Sequence, residues 1–287
     1  MCGELGRWKT LTVINESLMS TDFLEVTETA RAPISGEQLE RLVNRYCWAA
    51  SYCRDKDVVE VGCGAGPGLG ILASAARSLE AGDFSAPILA MAKAQYGERV
   101  ALRQFDAEAL PFADSTKDVI ILLEAIYYLP RPERFLAECA RVLRPGGTVL
   151  IASANKDIWD FHASPFSRRY FGVPELRAEF SERGFDCEFF GFQAVDRTPL
   201  RQRLLRPVKR VVVKLGLMPK TMKGKTWLKR IVFGAQRPMP SELVPGLALY
   251  VPPETVRGDE PDRRHKIIYC AATRRAATED LSEGGVG

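Results

Sequence analysis

Residues 58–68, VVEVGCGAGPG, place one carboxylate and three spaced glycines directly after a short run of valines. The valines suit a buried strand. A glycine-rich turn that follows a strand and opens a helix lets the backbone approach a ligand and points N–H groups at it. The dinucleotide fingerprint G-x-G-x-x-G is not met, because its third position falls on proline or leucine. The pattern is instead acid-x-G-x-G-x-G, formed by Glu60, Gly62, Gly64 and Gly66.

More acidic and aromatic residues follow at the predicted ends of later strands. Asp83 comes 21 residues after Gly62, and Asp106 lies in the segment FDAEALPFAD, residues 105–114. Two further segments, EAIYY at 124–128 and NKDIWDFHASPFSRRYF at 155–171, are rich in polar and aromatic side chains. Because parallel strands of an open α/β sheet end at the same edge, we expect these residues to meet there.

This series of segments, in this order, resembles the class I S-adenosylmethionine-dependent methyltransferases over roughly residues 45–193. The resemblance implies S-adenosylmethionine as the cofactor and methyl transfer as the reaction. EAIYYL departs from the histidine-rich turn common in the family. It is similar to a subgroup of uncharacterised bacterial methyltransferases that pair it with an N-K-D-x-x-D-F loop. The resemblance therefore implies the methyl donor but no acceptor.

The resemblance also implies which residues hold the cofactor. Backbone N–H groups of the glycine turn would bind its carboxylate, and Glu60 its ammonium group. Asp83 would accept hydrogen bonds from both ribose hydroxyls, and Asp106 from the adenine amino group. The alternative reading makes Glu60 and Asp106 ordinary loop acids. The full predicted cofactor set is Glu60, Gly62, Gly64, Gly66, Asp83, Phe84, Asp106, Ala107, Glu124 and Tyr46.

Catalytic groups are expected in the loops that follow the fourth and fifth strands. Methyl transfer mainly requires alignment of donor and acceptor, although a hydroxyl acceptor also needs a base. His162 is the first candidate, since the ordinary pKa of histidine, about 6.5, suits a base at neutral pH. Asp160 is the second, and Tyr128 is either a third or part of the pocket wall. The alternative for His162 is a solvent-exposed loop residue. With two histidines in the chain, we expect no metal.

The hydrophobic pattern predicts an α/β fold, Rossmann-like, with a seven-stranded and mostly parallel sheet that has helices on both faces. Strands are expected near 57–61, 78–83, 99–104, 117–123, 147–152, 184–192 and 266–273. Helices are expected near 35–53, 68–77, 86–96, 131–143 and 174–183. The predicted divisions are an N-terminal segment and helical cap (1–56), a cofactor-binding core (57–195), a basic insertion or lid (196–265), the last core strand (266–275) and a disordered tail (276–287).

Composition fits a protein that works in the cytoplasm. The hydrophobic content of 46% is enough for a hydrophobic core. The sequence has no run of 18 apolar residues, so we expect no membrane span. The first residues lack the apolar stretch of a signal peptide. Seven cysteines are scattered without a C-x-x-C pair, which favours reduced thiols.

The basic insertion concentrates positive charge. Residues 197–237 hold 13 Lys and Arg and no Asp or Glu, whereas the whole chain carries a net +4. Within it, the spacing of apolar and basic residues over 200–215 predicts a basic amphipathic helix. Its apolar face is formed by Leu200, Leu204, Val208, Val211 and Leu215. An acidic or lipid-linked acceptor and peripheral contact with an anionic membrane are both open as partners. Nucleic acid is disfavoured, because few aromatic residues lie among the charges.

Two classes of function stay open on the sequence. The first is a methyltransferase that acts on an O or N atom of a small molecule, a sugar or a lipid-linked acceptor. The second is a nucleic-acid (RNA) methyltransferase, or a catalytically lapsed accessory protein that binds S-adenosylmethionine.

Overall fold

The computed structural model describes residues 27, 29–164, 166–195 and 236–276. Its strands are β1 (Pro33–Ser35), β2 (Asp57–Val61), β3 (Ser78–Asp83), β4 (Ala101–Gln104), β5 (Lys117–Leu123), β6 (Leu143–Ala154), β7 (Phe185–Ala194), β8 (Gln236–Pro238), β9 (Glu254–Val256) and β10 (His265–Arg274). Its α-helices are α1 (Gly36–Ser51), α2 (Leu69–Ala75), α3 (Ala86–Tyr96), α4 (Pro132–Val142) and α5 (Val173–Ser181). Short 3₁₀ turns span Gly97–Arg99 and Ile126–Tyr128.

The central sheet has eight strands in the order β4-β3-β2-β5-β6-β10-β7-β9. Strands β4, β3, β2, β5 and β6 are parallel, and β10 runs antiparallel between β6 and β7. The mostly parallel Rossmann-like sheet is therefore confirmed. The number seven is wrong, because β9 adds an antiparallel edge strand to β7. At three residues, β9 is too short to show the alternation that predicts a strand.

Helices cover both faces of the sheet because the parallel strands are apolar on both sides. One face packs against α1, through residues such as Leu42, Ile121 and Tyr269. The other packs against α4 and α5, through residues such as Phe135 and Phe180. The helix α1 begins with a capping box, in which Ser35 and Gln38 bond each other's backbone N–H groups.

The strand β6 begins earlier than the sequence indicates. The sequence predicts this strand near 147–152, yet β6 already pairs with β5 at Leu143. The pairing then jumps from Lys117↔Leu143 to Val119↔Thr148. The extra residues form an irregularity in which Gly146 adopts a φ of 78°, so the turn-forming residues are absorbed into a bulged strand.

The described part of the basic insertion, from Gln236 onward, contacts the glycine turn and its surroundings. The strands β1 and β8 form an antiparallel ribbon, and Leu243 N–H donates to the Pro67 carbonyl at 2.7 Å. Glu242 pairs with Arg99 at the end of α3 at 2.8 Å. The predicted amphipathic helix at 200–215 and the predicted tail beyond 276 lie outside the described residues. Within the described residues, no helix has the length and apolar character needed to cross a membrane.

Candidate functional site

The glycine turn between β2 and α2 uses left-handed backbone at all three predicted glycines. The φ angles are 66° at Gly62, 60° at Gly64 and 75° at Gly66. Such angles are costly for residues with a Cβ atom. A Cβ at Gly66 would also lie 2.8 Å from a methyl group of Leu69. The turn is therefore a tight backbone cradle that needs glycine for two reasons.

Glu60 is buried under this turn, with 1% of its surface exposed. The Tyr46 hydroxyl donates to Glu60 Oε1 at 2.9 Å, which joins two residues of the predicted cofactor set. Burial raises the pKa of Glu60 from its ordinary value of 4.5 to about 8, against the opposing effects of Tyr46 and Arg45. The second oxygen, Oε2, is buried and has no hydrogen-bond partner among the described residues.

Asp83 ends β3 beside the turn. Its Oδ2 accepts the Gly64 N–H and its Oδ1 accepts the Ser85 N–H, both at 2.9 Å. Burial raises the pKa of Asp83, although these backbone bonds oppose the shift. A carboxylate has about four lone-pair sites, so two backbone bonds leave capacity for ribose hydroxyls. One N–H of the cradle, that of Gly64, is directed to Asp83 in this structure.

The predicted adenine-side residues lie at a more open part of the edge. Phe84 is 46% exposed and Asp106 is exposed, while Ala107 is buried. Asp106 Oδ1 accepts the Glu108 N–H at 2.9 Å and fixes the turn after β4. An exposed ring and an exposed acceptor are the groups that a planar heterocycle needs if it is to stack and to donate a hydrogen bond.

Glu124, directly after β5, has a φ of 54°. For a residue with a Cβ atom this conformation costs about 1–2 kcal/mol. Glu124 Oε2 accepts the Tyr127 hydroxyl at 2.9 Å, and Oε1 is buried without a partner among the described residues. The neighbouring Ala125 lies against Gly62, where an added Cβ would be 3.4 Å from the Ala125 Cβ atom. The turn after β5 therefore touches the glycine cradle.

Tyrosine rings connect the turn after β5 to the loop after β6. The rings of Tyr127 and Tyr170 stack at 4.3 Å, and Tyr128 packs edge-on against Tyr127 at 4.6 Å. The Tyr128 hydroxyl bonds Ser164 Oγ at 3.4 Å. Two of the predicted catalytic residues lie on this loop. His162 is exposed and Asp160 is half-buried.

The loop after β6 is anchored by a buried network that sequence reasoning missed. Asn155 is buried, and its side-chain amide donates to the carbonyls of Asp262 at 2.6 Å and His265 at 2.8 Å. His265 Nδ1 lies 3.1 Å from Asp262 Oδ2, and its ring packs on Gly191. These partners are more than 100 residues from Asn155 in sequence, so no local pattern could indicate them.

A cavity of about 230 Å³ opens beside the glycine turn. It is lined by Thr29, Ala30, Ala65, Pro67, Met91, Gln95, Pro240 and Ser241. The four carboxylates Glu60, Asp83, Asp106 and Glu124 are not among these lining residues, and the cavity adjoins the turn through Ala65 and Pro67.

The residues present fit the cofactor that the resemblance implies. The cradle is shaped for close backbone approach, and Glu60 holds a buried oxygen that lacks a donor. An ammonium group supplies such a donor. Asp83 lies at the end of the adjacent strand, with one of its oxygens on the cradle itself.

Comparison with known proteins agrees with this fit. Residues 59–151 match a family model described as a methyltransferase domain. Over these residues the chain contains a methyltransferase domain. This confirms the predicted family and its cofactor, S-adenosylmethionine. A probable S-adenosylmethionine-dependent methyltransferase of Mycolicibacterium smegmatis is 34% identical over 143 residues, 48% of this chain and 55% of the relative.

A curated relative and a solved structure that resembles the fold differ in what they are named for. A phosphatidylethanolamine N-methyltransferase of Cereibacter sphaeroides is 38% identical over 101 residues, 33% of this chain and 49% of the relative. The solved [4+2]-cyclase SpnF has a TM-score of 0.52 at 18% identity, over 87% of this chain and 85% of that one, which shows the fold alone. The chain spans about half the length of the curated relatives it matches.

The contact between Gly68 and Tyr46 gives a test of the cradle. A Cβ at Gly68 would lie 2.2 Å from the Tyr46 ring. We expect Gly68→Ala to displace that ring, weaken its bond to Glu60 and destabilise the protein by about 1–3 kcal/mol. Thermal unfolding measures this loss. Gly36→Ala is the matched control, because nothing lies within 4 Å of a Cβ there. Equal melting temperatures for the two variants would contradict the packing.

Proposed function

We propose that the protein transfers the methyl group of S-adenosylmethionine to an O or N atom of a small-molecule, sugar or lipid-linked acceptor. One observation carries this proposal: the glycine cradle has left-handed backbone, and its Gly64 N–H donates a hydrogen bond to Asp83. Since the same fold serves a cyclase, fold alone does not determine the reaction. The site residues and the family of residues 59–151 support methyl transfer.

Each predicted cofactor residue has a role in this proposal. When bound, S-adenosylmethionine supplies a methyl group activated by positive sulfur. Glu60, oriented by Tyr46, pairs with the ammonium group, while Gly62, Gly64 and Gly66 form the floor. Asp83 binds the ribose. The adenine side is formed by Phe84, Asp106 and Ala107. Glu124, the last of the predicted set, lies at the boundary with the acceptor and is considered below.

The acceptor is proposed to enter between the turn after β5 and the loop after β6. Methyltransferase relatives include one named for phosphatidylethanolamine, which favours a lipid-linked acceptor. The 13 basic residues of 197–237 also favour an anionic acceptor or an anionic membrane surface. The prediction that residues 196–265 form an insertion or lid is kept as part of this proposal.

The experiment that tests the function is direct. Calorimetry should show micromolar binding of S-adenosylmethionine and weaker binding of NADH. Incubation with a labelled methyl donor and fractionated lipid, sugar and small-molecule extracts should then label a product. Tighter binding of NADH than of the methyl donor would refute the proposal, and labelled RNA would replace it with the nucleic-acid alternative.

His162 stays the first residue proposed as a base for a hydroxyl acceptor, followed by Asp160, with Tyr128 nearby. If it acts so, His162→Ala should lower turnover roughly a hundredfold and leave donor affinity unchanged. Steady-state kinetics on the identified acceptor measure this effect. The exposed Arg169, on the same loop, provides a control through Arg169→Ala. Unchanged turnover in His162→Ala would exclude it as the base.

A further inference from the structure

Two buried carboxylate oxygens at the sheet edge lack a donor among the described residues, Glu60 Oε2 and Glu124 Oε1. Glu60 lies in β2, and Glu124 directly follows the adjacent strand β5. Glu60 pairs with Ile121 in the register of β2 and β5, so Glu124 follows three residues beyond that pair. A carboxylate buried without donors is unfavourable, and a ligand that donates relieves this cost.

The cofactor brings only one ammonium group to these two carboxylates. Glu60 is the better partner for it, because Glu60 lies beneath the glycine cradle and is fixed by Tyr46. Glu124 is fixed by a different tyrosine, Tyr127, whose hydroxyl donates to Glu124 Oε2. Its hydrogen-bond partner Tyr127 belongs to the tyrosine cluster that reaches the loop after β6. A second donor is therefore needed, and it must come from the acceptor.

The surroundings of Glu124 suit a positively charged donor. The Glu124 carboxylate accepts the Tyr127 hydroxyl, and the Tyr127 ring in turn contacts the rings of Tyr170 and Tyr128. Aromatic faces attract cations. The left-handed backbone at Glu124 is a strained conformation of the kind that clusters at ligand sites.

From these observations we propose that Glu124, with Tyr127, Tyr128 and Tyr170, forms a subsite for an acceptor amino group. The inference rests on the proposed function and narrows its acceptor to an amine. The bound ammonium group first loses one proton to solvent, and the neutral amine nitrogen then forms the new N–C bond in the transfer step. The C–S bond of the donor breaks, and its electron pair stays on sulfur. The positive charge thereby moves from sulfur to nitrogen, where the Glu124 carboxylate stabilises it.

The role of Tyr127 in this subsite is positioning. Its buried hydroxyl donates to Oε2, and burial raises its pKa, so the hydroxyl keeps its proton. That bond leaves Oε1 as the oxygen for the acceptor. Replacing Tyr127 by phenylalanine removes one hydroxyl and leaves the carboxylate and the ring.

The test uses the full chain and a pair of probes of equal length, hexylammonium and hexan-1-ol. Binding is measured by NMR titration at neutral pH, with and without S-adenosylhomocysteine. Wild type should bind hexylammonium at least tenfold more tightly than hexan-1-ol. In Glu124→Gln the two should bind within about twofold of each other, while the affinity for S-adenosylhomocysteine stays within threefold of wild type.

Two controls keep the result specific. Glu182→Gln changes an exposed carboxylate, with 74% side-chain exposure, and should keep the wild-type preference. Tyr127→Phe should lower the preference for hexylammonium over hexan-1-ol severalfold and leave the affinity for hexan-1-ol unchanged. This variant tests the subsite if Glu124→Gln fails to fold. Equal binding of both probes by wild type would overturn the proposal. A tenfold loss of S-adenosylhomocysteine affinity in Glu124→Gln would also overturn it, by assigning Glu124 to the cofactor. Failure of wild type to bind S-adenosylhomocysteine at all would instead refute the proposed function.

Discussion

Asp83→Ala is expected to lower the affinity for S-adenosylmethionine at least a hundredfold. The reason is the loss of two hydrogen bonds from ribose hydroxyls to a charged acceptor, each with a contribution of about 1.5–3 kcal/mol. The same carboxylate also holds the Gly64 N–H and the Ser85 N–H. Its removal therefore loosens the cradle as well as the ribose site. Isothermal titration calorimetry on wild type and variant measures the change.

Two companion variants separate the ribose site from the turn. Asp83→Asn keeps one acceptor oxygen for the backbone but removes the charge, so its affinity should lie between those of wild type and Asp83→Ala. Asp186→Ala removes a carboxylate at the start of β7, where it bonds Arg275 at 2.9 Å, and should bind the donor like wild type. If Asp83→Ala binds as tightly as Asp186→Ala, Asp83 does not hold the ribose.

The core elements could be predicted because their signals are local. The predicted strands at 57–61, 78–83 and 117–123 and the helix at 86–96 coincide with β2, β3, β5 and α3. β2, β5 and α3 are rich in apolar residues, and β3 follows at the spacing of the βαβ alternation, both of which the sequence shows directly. The helix predicted near 35–53 also begins at a local signal, the capping box of Ser35 and Gln38.

The features that sequence reasoning missed depend on distant partners. Strands β1, β8 and β9 have three residues each, and they exist because of what they pair with. The bond from Asn155 to Asp262 joins residues 107 positions apart. The left-handed conformation of Glu124 has no signal either, because glycine is the residue that marks such a position.

Within the candidate site, residue types were easier to predict than their bonds. The series Glu60, Gly62, Gly64, Gly66 indicated a turn that approaches a ligand, and the φ angles of the glycines support that reading. The sequence did not indicate that Asp83 accepts the Gly64 N–H, which couples the ends of β2 and β3. That coupling depends on strand order, since β3 must lie beside β2.

Glu60 makes the stability of the protein depend on pH in the absence of cofactor. Burial raises the folded-state pKa of Glu60 to about 8, whereas the unfolded chain has the ordinary value of 4.5. The folded protein therefore keeps a proton that the unfolded chain loses. The free energy of unfolding falls as pH rises from about 4.5 to about 8 and this contribution levels off above that. The expected loss is about 3–5 kcal/mol.

Glu60→Gln removes this titration while keeping the shape of the side chain. The variant should lose less stability than wild type between pH 5 and pH 8.5, measured by denaturant unfolding at each pH. Glu182→Gln, an exposed site, should follow the wild-type curve. Parallel curves for wild type and Glu60→Gln would contradict a raised pKa at Glu60.

Cofactor binding should reverse the protonation of Glu60. A bound ammonium group favours the ionised carboxylate, so the buried proton leaves as the cofactor enters. At pH 7 wild type should release close to one proton per S-adenosylmethionine bound, and its affinity should rise with pH up to about 8. Calorimetry in phosphate and in Tris, which differ in ionisation enthalpy, counts this proton. Glu60→Gln should release none and bind more weakly. Wild type and Glu60→Gln differ only at the Glu60 carboxylate. If both proteins release the same number of protons, the ammonium group pairs with a group other than Glu60.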